Sequence, residues 1–485
     1  MSNDSGMTKE LKRVSVAVLL MFVALLMSGT IITVFQADNL RADGRNVRTL
    51  YDSFSAERGP LLVDGTPIAQ SVPVDDDFKF LRTYTNPELY AAVTGYFTLN
   101  QGNAGVEGSL NDVLSGTADS QFLDQLNSIL TGKNPKGAAV ELTIDPVAQQ
   151  AAWDALGDKT GAVVAIDPKT GAILAMVSKP SYDPNLLASH DTAAVIAAYD
   201  QLLAAPGNPL FNRTISGDLY HPGSVFKLIV AASAIDSGQF TAETTVPNPA
   251  TLQLPLSDSV IHNASQSTCG PGDQVTLADA LRISCNIPFA EIGTTIGEDV
   301  IAEYADAFGY GQRIQVPMTA SASNYPKGMD APQLMLSSFG QYNVRVTPLQ
   351  VAMTTAAIAN GGVLMQPTLV ESVIAPDLTV TQPFQAKVFS EPISSETAAT
   401  LVQLMINNVS NGAASSARIS GVEVGGKTGT AQNGEGTSNT LWFTGFAPAN
   451  DPQIAVAVVV ENEQGFGDAV AAPIARRVIE AVLNK

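Results

Sequence analysis

His221-Pro222-Gly223-Ser224-Val225-Phe226-Lys227, continued by Leu228-Ile229-Val230-Ala231-Ala232, is the stretch from which the rest of this chain is read. Pro222 and Gly223 punctuate the chain, and apolar residues then follow at helical spacing from Ser224 to Asp236, with Gly238 as a stop. The pattern predicts a turn feeding a helix, with Ser224 and Lys227 three apart on one face. A hydroxyl in a first helical turn beside an amine makes an activated nucleophile when burial or a second cation lowers the pKa of the amine. The same residues also fit a serine N-cap followed by an exposed lysine. His221 lies three residues before Ser224, but only Asp218 is near enough in sequence to orient it, so a Ser-His pair is the weaker alternative.

The chain has 485 residues, room for two or more domains, and a formal net charge of −20. That acidity argues against a nucleic-acid partner and reads as solubility. Two Cys exclude a disulfide-dense scaffold, and the three His show no metal-ligand spacing with them, so neither metal nor cofactor is expected. Val14 to Phe35 is 22 residues without a charge, long enough to span a bilayer and longer than the apolar core of a cleaved leader. Lys9, Lys12 and Arg13 precede it and Asp38 follows. The positive-inside bias gives a cytoplasmic tail (1–13), an uncleaved anchor in the cell membrane (14–35) and an extracytoplasmic remainder.

Residues 36–159 form a first extracytoplasmic region. It carries a small hairpin about Asp64-Gly65 and helical patterning over 86–97 and 120–130, but no titratable cluster, and reads as a pedestal or docking module. Asp145-Pro146 opens a helix over 147–156. Two apolar strands, 161–166 and 172–177, flank a Pro/Gly turn, and the main domain boundary is placed near 160. From 160 to 485 helices come first. Strands near 421–431, 440–446 and 453–460 and a closing helix over 468–483 come last. This is α+β, with one sheet assembled from both ends of the domain.

Two further motifs follow Ser224. Ser284-Cys285-Asn286 stands 60 residues on, and Lys427-Thr428-Gly429-Thr430 a further 143. Ser-x-x-Lys, Ser-x-Asn and Lys-Thr-Gly in this order form the set of penicillin-recognising active-serine enzymes. The chain contains decoys. Ser109-Leu110-Asn111 precedes the serine in a region without other chemistry, and Lys169-Thr170-Gly171 follows Asp167-Pro168 at a hairpin tip. Lys427 instead ends a Gly-Gly approach and enters an apolar strand.

The chain resembles the class B penicillin-binding proteins, monofunctional peptidoglycan D,D-transpeptidases, over essentially its whole length. The likeness extends to Arg58-Gly59, the hairpin from Gly161 to Pro180, Thr347-Pro348-Leu349-Gln350 and Trp442-Phe443-Thr444-Gly445. Tyr84-Thr85-Asn86-Pro87-Glu88-Leu89-Tyr90 and Ser181-Tyr182-Asp183-Pro184-Asn185 are most similar to the actinobacterial penicillin-binding protein A group. The resemblance implies a penicillin-binding, serine β-lactamase-like transpeptidase fold. It implies Ser224 as nucleophile, Lys227 as its base, and Ser284 and Asn286 as a proton relay and a holder of Lys227 and substrate. Lys427, Thr428, Gly429 and Thr430 would bind the carboxylate of the substrate or of a β-lactam, and the N–H groups of Ser224 and Thr430 would form an oxyanion hole. Lipid-linked peptidoglycan, nascent glycan strands, β-lactams and a SEDS-type membrane glycosyltransferase are the implied partners. Cys269 and Cys285, outside the membrane and beside the second motif, are expected to be bridged. A D,D-carboxypeptidase or β-lactamase, a β-lactam sensor and a scaffold with an idle site are the rival readings. The long first region, the short cytoplasmic end and the intact motifs weigh against them in turn.

Overall fold

The computed structural model describes residues 4–32, 56–118, 121, 136–217, 219–432 and 438–485. Asp218, the last residues of the expected anchor and, apart from Gln121, the helix expected over 120–130 lie outside them. Contacts divide the chain into residues 57–73 with 81–485 and residues 1–56 with 74–80. In the smaller unit, Asp4–Thr30 is a helix that is long and apolar enough to cross a membrane over Leu11–Thr30.

The catalytic half is organised by a five-stranded antiparallel sheet. Its order is Gly425–Ala431, Asn439–Ala447, Ile454–Glu463, Gly161–Ile166 and Ile173–Lys179, so both ends of the segment supply strands, as expected. Each strand is apolar on both faces because each face is covered. Val163, Ala165, Val456 and Val458 pack with the closing helix Gly467–Leu483. Val164, Ile166, Ala455 and Ala457 face Pro348–Ala359, a helix buried nearly all round. Thr347 caps that helix by accepting from the Gln350 N–H, and Pro348 sits at its first position. The closing helix and Pro146–Leu156 share the outer layer, with Ala148, Ala152 and Leu156 in the same cluster. The helix assigned to the first region packs on the catalytic sheet.

The second sheet makes the same point. Its order is Val380–Pro383, Val370–Ile374, Ala139–Leu142, Leu61–Val63, Thr66–Pro73 and Phe80–Tyr84. Two strands from the catalytic half therefore complete the sheet of the first region. Beneath it, fully buried Glu107 takes Arg58 Nε on one oxygen and Arg82 Nε on the other, both at 2.6 Å. Burial raises the Glu107 pKa, but the two guanidiniums outweigh it and hold the carboxyl below its ordinary value. The two segments most similar to the penicillin-binding protein A group meet here. Tyr84 N donates to Asn185 Oδ1 at 2.9 Å, and Asn185 Nδ2 donates to Tyr84 O at 3.1 Å.

Candidate active site

Ser224 lies in a 3-10 turn, Gly223–Phe226, and the α-helix starts at Lys227 and runs to Asp236. The expected helix is thus tighter at its first turn. In a 3-10 turn residues three apart eclipse, which keeps Ser224 and Lys227 in line. The helix Lys227–Asp236 is buried from Lys227 to Ala234, which accounts for the unbroken apolar run in the sequence.

The turn is held by close backbone approaches. Gly223 has φ 54°, its N–H donates to Gly340 O at 3.0 Å, and a Cβ on it would stand 2.9 Å from Thr430 O. A Cβ on Gly340 would stand 2.0 Å from Gly223 O, and one on Gly429 2.9 Å from Pro222 O. Trp442 Nε1 donates to His221 O at 3.0 Å. The glycine of Lys-Thr-Gly is needed because the strand Gly425–Ala431 runs directly against the serine turn.

The second motif sits between two helices. Ser284 ends Leu277–Ile283 in the left-handed region, with φ 65°, an uncommon posture for a serine and typical of functional sites. Its carbonyl accepts from Lys227 Nζ at 2.8 Å, and its hydroxyl accepts from Lys427 Nζ at 2.6 Å. Asn286 Oδ1 accepts from Lys227 Nζ at 2.9 Å, and Asn286 Nδ2 donates to His262 O at 2.9 Å. Asn263 Oδ1 accepts from the N–H groups of Asn286 and Ile287 at 2.9 and 3.0 Å, and so caps the helix Ile287–Ile296 from another segment. Cys269 and Cys285 form a disulfide with Cα atoms 5.9 Å apart, which ties the same segment to the motif.

In the third motif Lys427 also donates to Thr428 O at 2.8 Å, Thr428 Oγ1 donates to Ala413 O at 3.1 Å, and Gly467 N donates to Thr430 Oγ1 at 3.4 Å. Gly425–Ala431 is the edge strand of its sheet, so half of its backbone groups have no strand partner.

Lys227 and Lys427 are both fully buried, and among the described residues neither has a carboxylate partner. Burial pushes Lys427 down to about 7. Burial, and then the charge of Lys427, push Lys227 well below its ordinary value. Amines in this state can accept a proton near neutral pH, and the protonated one can hold an anion.

The decoys are structural. Lys169-Thr170-Gly171 forms a turn in which Thr170 Oγ1 donates to Asp167 Oδ2 at 2.7 Å. Asn111 Oδ1 accepts from Arg58 Nη1 at 2.9 Å in the first region. His221 is half-buried, and burial followed by the charge of Arg345 lowers its pKa. The sequence reading missed Asn263, Gly340 and Phe289, the last with its ring 5.5 Å from Lys227 Nζ. Gly340 carries the local signal of a glycine between a helix and a Gln-Tyr-Asn turn, whereas Asn263 carries none.

Comparison with known proteins agrees with this geometry. Residues 161–480 match the family described as penicillin binding protein transpeptidase domain, and residues 58–140 match penicillin binding protein A dimerisation domain. The chain is 42% identical to peptidoglycan D,D-transpeptidase PbpA of Mycolicibacterium smegmatis, covering 99% of this chain and 100% of the relative. It is 41% identical to PbpA of Mycobacterium tuberculosis, covering 99% of each. The crystal structure of penicillin-binding protein A from M. tuberculosis as its ceftriaxone acyl-enzyme superposes with a TM-score of 0.85 at 39% identity, over 89% of this chain and all of that one. A buried two-lysine cleft around three ordered motifs, on a sheet of this topology and with relatives matched from end to end, makes this chain a member of the penicillin-binding protein transpeptidase family.

Proposed function

We propose that this chain is a peptidoglycan D,D-transpeptidase acting through a Ser224 acyl-enzyme, and that β-lactams acylate it at the same atom. The observation that carries the reading is Ser284 bridging two buried lysines, its carbonyl on Lys227 and its hydroxyl on Lys427, beside the Ser224 turn. Lys227 takes the proton of Ser224 Oγ as the oxygen attacks the carbonyl between the last two D-alanines of a stem peptide. The C–N bond breaks, and D-alanine leaves with a proton returned through Ser284. An amine of a neighbouring stem then displaces the ester, freeing Ser224. Asn286 fixes Lys227 and meets the substrate amide. Lys427 donates two of its three N–H bonds within the protein and keeps the third for the terminal carboxylate, with Thr428 and Thr430 beside it. The N–H groups of Ser224 and Thr430 stabilise the oxyanion, where one donor is worth about 3 kcal/mol of barrier. The contact of Gly223 with Thr430 O supports their closeness.

The helix Asp4–Thr30 anchors the chain in the cell membrane with its N-terminus in the cytoplasm. The first extracytoplasmic region docks a SEDS-type membrane glycosyltransferase that supplies the glycan strands, and co-purification of such a polymerase through residues 1–159 tests that partner. The central test is Ser224→Ala with a fluorescent penicillin. Loss of covalent label is expected, and a variant that still labels removes Ser224 from its role.

A further inference from the structure

The helix Ser395–Asn411 carries none of the three motifs, yet its ends are bonded to all three elements that do. At its start Ser394 donates through its hydroxyl and its N–H to Asp236 Oδ1, at 2.6 and 2.9 Å, and Asp236 ends the helix that begins with Lys227. At its other end the chain grips the second motif. Ala413 N donates to Arg282 O at 3.0 Å, and Arg282 Nη1 donates to Asn411 O at 3.0 Å. Ala413 O in turn accepts from Thr428 Oγ1 of the third motif at 3.1 Å. The helix buries Leu401, Leu404 and Met405 in the cluster that holds Leu277, Ala280 and Leu281, and Val409 in the cluster that holds Phe443. It therefore sets how far the Ser284 turn stands from the Lys427 strand, and the 2.6 Å bond between those two residues depends on that spacing.

Asn408 lies in the last turn of this helix and is fully buried. Its Nδ2 donates to Leu281 O at 2.9 Å, the same carbonyl that accepts from Ser284 N at 3.1 Å. Together with Cys285 N on Ala280 O at 2.9 Å, these bonds close the end of Leu277–Ile283 and hold Ser284 in its left-handed posture. The oxygen of the amide is unused. Asn408 Oδ1 is buried and has no hydrogen-bond partner among the described residues. Turning the amide over would set that oxygen against Leu281 O, so the bond to Leu281 fixes its orientation. A buried acceptor without a partner weakens the fold, whereas an apolar side chain of similar shape would be neutral or better. Packing alone therefore does not call for an amide here. The one side-chain bond that Asn408 makes among the described residues falls on the carbonyl behind Ser284.

We propose that Asn408 is a positioning residue for acylation, which through Leu281 O fixes the place of Ser284 and with it the contact between Ser284 Oγ and Lys427. The inference rests on the reading of Ser284 as the relay between the two lysines, and extends it to a residue outside the motifs. Asn408 touches neither the substrate nor the reacting atoms.

The test uses the full chain and benzylpenicillin, with the acylation rate constant separated from the binding constant across a range of pH. Asn408→Leu keeps the shape and removes the donor. Its acylation rate constant should fall on the order of tenfold, short of the hundredfold of a 1 Å displacement. At pH 6, where Lys427 is charged, its binding constant should stay within about twofold. Its alkaline limb should move to lower pH, because the ammonium of Lys427 loses an oxygen that favours its charged form. Its melting temperature should hold or rise, because the unpartnered oxygen goes too. Asn408→Asp should restore most of the rate, since burial keeps the carboxyl protonated and its hydroxyl can donate to Leu281 O. If the leucine does not fit, Asn408→Ala removes the same donor and is read in the same way. An unchanged rate and pH profile without the donor overturns the inference. So does a loss of rate that follows the melting temperature with the alkaline limb in place, and so does an Asp variant no faster than the Leu variant. In each of these outcomes the natural chain is still acylated at Ser224, whereas a natural chain that benzylpenicillin does not acylate refutes the transpeptidase reading itself.

Discussion

Lys427 Nζ donates to Ser284 Oγ at 2.6 Å, and Lys427 makes no ion pair with a carboxylate among the described residues. The ammonium is held by oxygens alone, and that sets how the site responds to pH and to substitution.

Acylation should follow a bell-shaped pH profile. Lys227 works as a base only when neutral, and Lys427 attracts a carboxylate only when charged. Burial lowers Lys427 to about 7, so kcat/KM for benzylpenicillin should decline on the alkaline side with an apparent pKa near 7. Lys427→Arg keeps its charge and should lose that limb. An acylation rate still climbing at pH 9 in the natural chain would count against the assignment.

The same burial makes Lys427 a cost to stability. Below pH 7 the folded and unfolded chains both carry its proton, and the desolvation penalty is complete. From about 7 to the ordinary 10.5 the unfolded chain binds more protons, so stability rises with pH across that window. Lys427→Met should therefore stabilise the protein by about 1–2 kcal/mol at pH 7 while abolishing acylation. Thermal melts at pH 7 and 10 check both the sign and the flatter slope of the variant.

Gly429→Ala inserts a methyl 2.9 Å from Pro222 O and 3.0 Å from Trp442 Cβ, neither of which is a flexible chain end. The serine turn must shift, and displacements of about 1 Å cost on the order of a hundredfold in rate. Penicillin acylation should drop by that order, with the far-ultraviolet circular dichroism unchanged.

The disulfide closes a loop with a sequence separation of 16, worth about 3 kcal/mol in the chain-entropy model. Cys269→Ser with Cys285→Ser should lower stability by about that amount and slow acylation, because the bridge ties the segment that follows Asn263 to the motif in which Asn263 holds Asn286. Mass analysis of the natural chain should find no alkylated thiol without reductant.

Glu107→Ala leaves two buried guanidiniums without their carboxylate and should cost about 3–5 kcal/mol. Among the described residues Arg82 Nη2 has no hydrogen-bond partner, so the cluster has little slack. Denaturant melts measure the loss, and penicillin labelling below the transition should persist.

Much of the catalytic half is legible in the sequence, because its chemistry lies in three short motifs and its sheet lies in apolar runs. Lys427 stands apart from the decoy Lys169 by its approach. Gly425-Gly426 lets a strand pass under Phe446 and Phe443, whereas Asp167-Pro168 starts a turn. What the sequence hides is long-range. Asn263 acts through a helix start that is not its own, and nothing local marks Val370–Ile374 as a strand of a distant sheet. The helix Pro146–Leu156 shows its cap and its length, but not which sheet it covers. Pairing partners far apart in the chain leave no period to read.

That borrowed strand limits modular exchange. The family names two regions, 58–140 and 161–480, as if they could be separated. Scission near residue 160 would take away Ala139–Leu142, the partner along which Val370–Ile374 is zipped. The orphaned rim would expose unpaired N–H and C=O groups and invite self-association. A pedestal transplanted from a relative would likewise arrive two strands short unless residues 370–383 were exchanged with it. The two regions are stitched into one inheritable part, and the seam runs through the middle of the enzyme.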